Sequence, residues 1–349
     1  MLIAHFILWE ENMSGRFEHK IQTENFLEEK VKLYPTWLEK YYYSLANNTH
    51  ATKRQYISNV CMLLDSVAKE KDITVKELKT EYFDSFVINK YFTKKKKQII
   101  RNKPISESAI ATQITVLTSF FEFMTKSGYY ENNPMSNVVK RPSVPMKNEV
   151  SFLTDEELEI LINTLRTGEG MYKTEKRKEK YLNRDRLLFM IPLTTGCRVS
   201  ALDELDVKDF DPENHTLRFI EKREKERLIE IPDELASMIE EWIDERSAFE
   251  GVENIDALFV IEGKNECRRL SVRTIQSIVG RFSVRIGREI SPHELRRTFG
   301  TTAYRESKDI YLTSRLLGHN SPTVTMRYAA GNKKDEINTR NVIMKKLLP

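Results

Sequence analysis

SPHELRRTFGTTAYRESKDIYLTSRLLGHNSPTVTMRY, residues 291–328, places His293, Arg296, His319 and Tyr328 in one short segment whose helix signals say how they are presented. Ser291, Pro292 and Glu294 spell a helix start: serine at the cap, proline at the first helical position, and glutamate reaching back to complete a capping box. His293 and Arg296, three apart, then share one face of the first turn. The same turn offers backbone N–H groups and the positive end of the helix dipole, both suited to a phosphate. Further on, Ile310, Leu312, Leu316 and Leu317 mark an apolar-periodic helix that stops at Gly318, which sets His319 on a tight turn. Ser321-Pro322 opens one more helix, and Tyr328 falls within it, nine residues after His319.

These residues carry a family resemblance. His293 to Thr298 (HELRRT), Leu316 to His319 (LLGH) and the MRY ending at Tyr328 resemble the second motif box of the tyrosine recombinases, the phage-integrase and Xer-type family. That family also has an arginine after a Thr-Gly pair, and Thr195-Gly196-Cys197-Arg198 supplies it. Between the boxes it carries a lysine on a β-hairpin. Phe219 to Arg227 (FIEKREKER) resembles that run, with Lys222 at the matching place and Lys225 as its competitor. The motifs cover the chain from about Phe152 onward.

The resemblance implies a mainly α fold: an N-terminal helical core-binding (SAM-like) bundle, then a C-terminal mixed α/β catalytic domain with a small β-sheet. It implies a site-specific recombinase that cleaves and rejoins DNA through a 3′-phosphotyrosyl intermediate. Arg198 and Arg296 would hold the phosphate, because a planar guanidinium donates two parallel hydrogen bonds. His319 would be a further donor, His293 the general base, Tyr328 the nucleophile and Lys222 the proton source for the leaving 5′-oxygen. No cofactor, ATP or metal is expected, since the arginines and the lysine already supply positive charge. The expected partner is double-stranded DNA, bound as two sites by a homotetramer. Taken singly, each residue has a duller reading, a surface arginine or one of fourteen tyrosines in a core; their joint order and spacing favour the site. Two other readings are a non-catalytic DNA-binding protein of this fold and a relaxing topoisomerase of the tyrosine type.

At 349 residues the chain is long for one domain and comfortable for two. A hydrophobic share of 40% beside 31% charged residues is that of a globular protein, and a net charge of only +4 requires any basic footprint to be local. Cys61, Cys197 and Cys267 are odd in number and widely spaced, which reads as reduced thiols in a cytoplasmic protein, and the resemblance implies one associated with the nucleoid. Met1 to Trp9 is apolar but too short for a membrane span and lacks the basic flank of a signal peptide.

Residues 1–30 read as an extension and 31–132 as the helical bundle. Trp37, Leu38, Tyr41 and Leu45 share one face there, Val60, Leu63, Leu64 and Val67 another, and a helix from Ser106 carries Ile110, Ile114, Leu117, Phe121 and Met124. Lys94 to Lys97, with Arg101 and Lys103, form a basic run that is either a solvated loop or a phosphate contact. The proline-punctuated stretch 133–148 reads as the linker, able to lie along DNA phosphates. The catalytic domain spans 149–330 and opens on a Thr154/Glu157 capping box, with Leu158, Leu161, Ile162 and Leu165 as the apolar face. The tail, 331–349, is short and amphipathic, and is expected to dock on a neighbouring protomer. Two positions depart from the family pattern: Ala201 stands where an acidic residue is usual, with Asp203 and Glu204 slightly later, and Cys197 replaces a larger apolar residue.

Overall fold

The structure, a computed structural model, describes residues 16–100, 103–138, 142, 151–221, 225–263, 267–319 and 321–329. The N-terminal extension's first fifteen residues, Arg101, most of the linker, Lys222 and the tail fall outside them. The chain parts into two compact units, each with its own buried core: the first is His19–Met146, and the second is Lys147–Pro349 with Arg16 to Glu18 grouped to it.

The first unit is a bundle. Its helices are α1 (Arg16–Val31), α2 (Thr36–Ser44), α3 (His50–Lys71), α4 (Ser85–Lys96) and α5 (Glu107–Lys126), with a two-residue pair, β1 (Ile99–Ile100) and β2 (Lys103–Pro104), before α5. Local chemistry sets the starts: the Thr49, Asp84 and Ser106 side chains each accept from a backbone N–H in the first turn of α3, α4 and α5. Ile110, Ile114, Leu117, Phe121 and Met124 of α5 are all buried, and Phe120 meets Tyr41 edge-on with ring centroids 5.1 Å apart. Residues 16–30, read from the sequence as extension, are helical instead. Leu27 and Val31 of α1 enter the bundle core, and Lys53 of α3 donates to Glu24 at 2.8 Å. The basic run ends α4, where cations suit the helix dipole. Lys94 pairs with Glu70 at 2.6 Å and Lys95 donates to the Tyr91 hydroxyl at 3.1 Å.

In the second unit α6 (Asp155–Thr167) opens on the expected Thr154/Glu157 box. α7 (Glu175–Thr195) follows, its Leu187, Leu188, Phe189 and Ile191 fully buried, and then the short α8 (Val199–Asp203). β3 (Phe210–Asp211), β4 (Thr216–Glu221) and β5 (Lys225–Glu230) make an antiparallel sheet in that order. After α9 (Asp233–Ser247), β6 (Val260–Glu262) pairs with β7 (Cys267–Arg269). The chain then runs through α10 (Val272–Ile286), α11 (Pro292–Ser307), α12 (Ile310–Leu317) and α13 (Pro322–Ala329). Phe189 packs on Phe282 at 4.9 Å, so α7 and α10 share the centre of this core. Two positions expected on apolar faces lie outward: Ile162 is 51% exposed and Leu316 37%. Both units are mainly helical and the sheets are small, as the sequence implied. No described helix is long and apolar enough to cross a membrane.

Candidate active site

Two helices of the second unit end in the same way. α7 closes at Gly196 (φ 64°) and α12 at Gly318 (φ 62°), both left-handed, a conformation that glycine adopts without steric cost. Gly196 has a second reason to lack a side chain, because a Cβ there would stand 2.4 Å from Phe299 Cδ1. Beyond the first end, Cys197 turns into the core, and Arg198 becomes the cap of α8, half-buried and extended (φ −83°, ψ 150°). Beyond the second, His319 follows directly, half-buried, with Nδ1 2.8 Å from the Thr325 hydroxyl on α13.

Arg296 brings these ends together. It lies in the first turns of α11 at 1% exposure, and its guanidinium donates to Gly196 O and, at 2.7 Å, to Leu317 O. Two of its five N–H groups therefore fix the plane of the fork against the last carbonyls of both helices. Arg198, Arg296 and His319 thus sit on elements joined by direct bonds. His293 is exposed one turn earlier on α11. Tyr328 lies on α13, three residues past Thr325, whose side chain is fully buried. The expected hairpin exists as β4 and β5, in register from Thr216 opposite Glu230 to Glu221 opposite Lys225; Lys222 falls between, outside the described residues.

One local expectation fails. Ser291 caps α11 without a side-chain hydrogen bond, and Glu294 does not reach back to it. Glu294 is buried and instead accepts from Ser151 Oγ at 2.8 Å and from Arg288, which also grips Glu157 through Nε (2.5 Å) and Nη2 (2.8 Å). A buried carboxylate takes the charged partner, because leaving a charge unpaired costs more than a serine cap returns. Beside the site, burial and then neighbouring Glu204 push the Asp203 carboxyl well above the ordinary range. Reading the sequence did not single out Thr325 or Arg288; both act through partners that no spacing rule reveals. Among the described residues no three His, Cys, Asp or Glu side chains group as metal ligands.

The phage integrase family pattern matches residues 151–335, just over half of the chain. The chain belongs to the phage integrase family. The tyrosine-recombinase resemblance read from its motifs holds, and the chain is a site-specific recombinase. It is 29% identical over 234 residues to the tyrosine recombinase XerC of Escherichia coli, covering 65% of this chain and 71% of that one. To the XerC of Treponema denticola it is 27% identical over 293 residues, 80% of this chain and 88% of the relative. Among solved structures, XerH bound to its difH substrate before cleavage matches with a TM-score of 0.59 at 22% identity, over 87% of this chain and 83% of that one. A lambda integrase tetramer bound to a Holliday junction matches with a TM-score of 0.54 at 17% identity, over 85% and 78%. The fold of this recombinase is that of these proteins.

Proposed function

We propose that this recombinase exchanges DNA strands through Tyr328, with Arg198, Lys222, His293, Arg296 and His319 as its catalytic set. The observation that carries the reading is the Arg296 clasp on Gly196 O and Leu317 O, which joins the Arg198 turn to the His319 turn. Strand cleavage requires neutralised non-bridging oxygens, an in-line nucleophile and a proton for the departing oxygen. Arg198 and Arg296 hold the scissile phosphate, and His319 donates a further hydrogen bond. The Tyr328 hydroxyl gives its proton toward His293 as its oxygen bonds phosphorus. The bond to the 5′-oxygen breaks, and Lys222 protonates that oxygen. The 3′-phosphotyrosyl product retains the phosphodiester energy, so a second 5′-hydroxyl reverses the step without ATP. The cations present meet the charge demand without a metal, and cleavage should persist in excess EDTA.

The bundle would serve as the core-binding domain, closing on duplex DNA with the linker along the phosphates. Two DNA sites would be held by four copies, an assembly for which the lambda integrase tetramer on its junction is the precedent. The tail would dock on the neighbouring copy; deletion after residue 335 should then impair recombination more than folding. Such an enzyme would work in the cytoplasm, on the nucleoid.

The deciding experiment is covalent trapping. Wild-type protein and Tyr328→Phe are incubated with nicked duplexes from the DNA flanking the gene and run on a denaturing gel. An SDS-resistant adduct lost in the Phe variant is expected. No adduct on a duplex that the protein demonstrably shifts would turn the reading to DNA binding without chemistry, and relaxation of an arbitrary plasmid would turn it to a topoisomerase.

A further inference from the structure

Arg296 is not alone on the two helix ends. Arg227 of β5, half-buried, reaches out of the sheet and donates through Nη2 to Thr195 O at 3.4 Å and to Leu316 O. The four carbonyls are two consecutive pairs: residues 195 and 196 at the end of α7, and residues 316 and 317 at the end of α12. Arg227 bridges the first member of each pair and Arg296 the second. Carbonyls in the last turn of a helix have no partner within it and carry the negative end of its dipole, so a cation donating to two such ends is favoured there. Arg198 and His319 each stand two residues beyond the carbonyl that Arg296 holds. A change in the separation of the helix ends therefore becomes a change in the separation of these two side chains.

We infer that Arg227 is a positioning residue for the recombination chemistry. By clasping Thr195 O and Leu316 O it sets the spacing of Arg198 and His319 on the scissile phosphate, without touching the phosphate itself. The inference rests on the proposed roles of those two residues. The hairpin does not depend on this guanidinium for its own register, which is fixed by six cross-strand pairs and by the fully buried Phe219 opposite Arg227. Lysine is a poor substitute: an ammonium is a point charge on a flexible stem, where the guanidinium is a rigid fork.

The test compares full-length wild type, Arg227→Gln and Arg227→Lys in two measurements. The first is amide hydrogen exchange without DNA. The Gly196, Gly318 and His319 N–H groups bond to Pro192 O, Arg315 O and Ser314 O, each at 3.0 Å. In Arg227→Gln these should exchange at least about tenfold faster, while the amides of α9 and α10 stay unchanged. Unaltered exchange at both turns overturns the inference. The second is single-turnover cleavage of the nicked duplex with an ordinary phosphate or a methylphosphonate at the scissile position. The methylphosphonate lacks the negative charge that the arginines neutralise. Misplaced phosphate ligands should slow phosphate cleavage by about 100-fold with DNA affinity unchanged. The methylphosphonate rate should fall less than about tenfold, and Arg227→Lys should lie between. An equal fall on both substrates overturns the inference, as would no fall on either. Should Arg227→Gln fail to fold, the Lys variant carries both measurements. Absence of any wild-type adduct would count against the phosphotyrosyl reading, while exchange at the two turns would still decide whether Arg227 holds the helix ends.

Discussion

Gly196 shows how little freedom the site leaves a single residue. Alanine there meets both a left-handed backbone and Phe299 Cδ1 at 2.4 Å, whereas at Gly287 (φ 81°) it meets open space. Gly196→Ala should cost about 2–4 kcal/mol in thermal or urea unfolding, and Gly287→Ala about 1 kcal/mol, the backbone share alone. Equal losses would mean that the Phe299 contact relaxes away. Thr325 offers a milder test. Its hydroxyl orients the His319 ring at 2.8 Å, so Thr325→Val should slow cleavage about tenfold, close to the worth of one hydrogen bond, and Thr325→Ser should restore it. The Thr-Gly-Cys-Arg turn was legible in the sequence because glycine's conformational preference is local. Thr325 was not, since nothing in its neighbours announces that a histidine six residues earlier will need it.

Elements are tied by partners far apart in sequence. Arg288 holds Glu157 at the start of α6 and Glu294 at the start of α11, and the Arg288 hydrogen bonds keep the Glu157 carboxyl below its ordinary range. A carboxylate whose folded pKa is depressed contributes stability that is full above its unfolded value, about 4.3, and is lost as pH falls through the folded value. Glu157→Gln should therefore be less stable than wild type at pH 7, and the gap should shrink as pH falls below about 5 in urea melts; a constant gap would place the effect in packing instead. Long-range ties of this kind explain the one misread helix start. The Ser-Pro-x-Glu pattern describes a capping box from nearest neighbours, but the Arg288 guanidinium takes the Glu294 carboxylate, helped by Ser151 from 143 residues away, and the cap is lost. Helix α1 was hidden for the opposite reason. Its segment RFEHKIQTENFLEEKV is mostly polar, and its five apolar residues, Phe17, Ile21, Phe26, Leu27 and Val31, make only a weak stripe. The caps at Ser106 and Thr154 and the hairpin were readable because each is decided within a few residues.

At the scale of the whole chain, two cores share no residue. Leu117→Ala, which empties a fully buried position in α5, should destabilise the first unit by about 2–5 kcal/mol. Hydrogen exchange should quicken in α2 to α5 and stay as it was in α7 and α10; loss of protection in both units would show that they unfold together. The small net charge leads to a second whole-molecule expectation. DNA affinity should fall steeply and linearly with log salt, because local phosphate contacts and not the overall charge supply it. Finally, the three cysteines are all buried reduced thiols, Cys61 in the first core and Cys197 and Cys267 in the second. Burial pushes Cys61 up to about 11 and raises Cys267 as well, so little thiolate exists near neutrality while either core is closed. The chain consequently carries its own stopwatch: with iodoacetamide in excess, alkylation of Cys61 times the breathing of one half, and alkylation of Cys267 times the other, with no label to install.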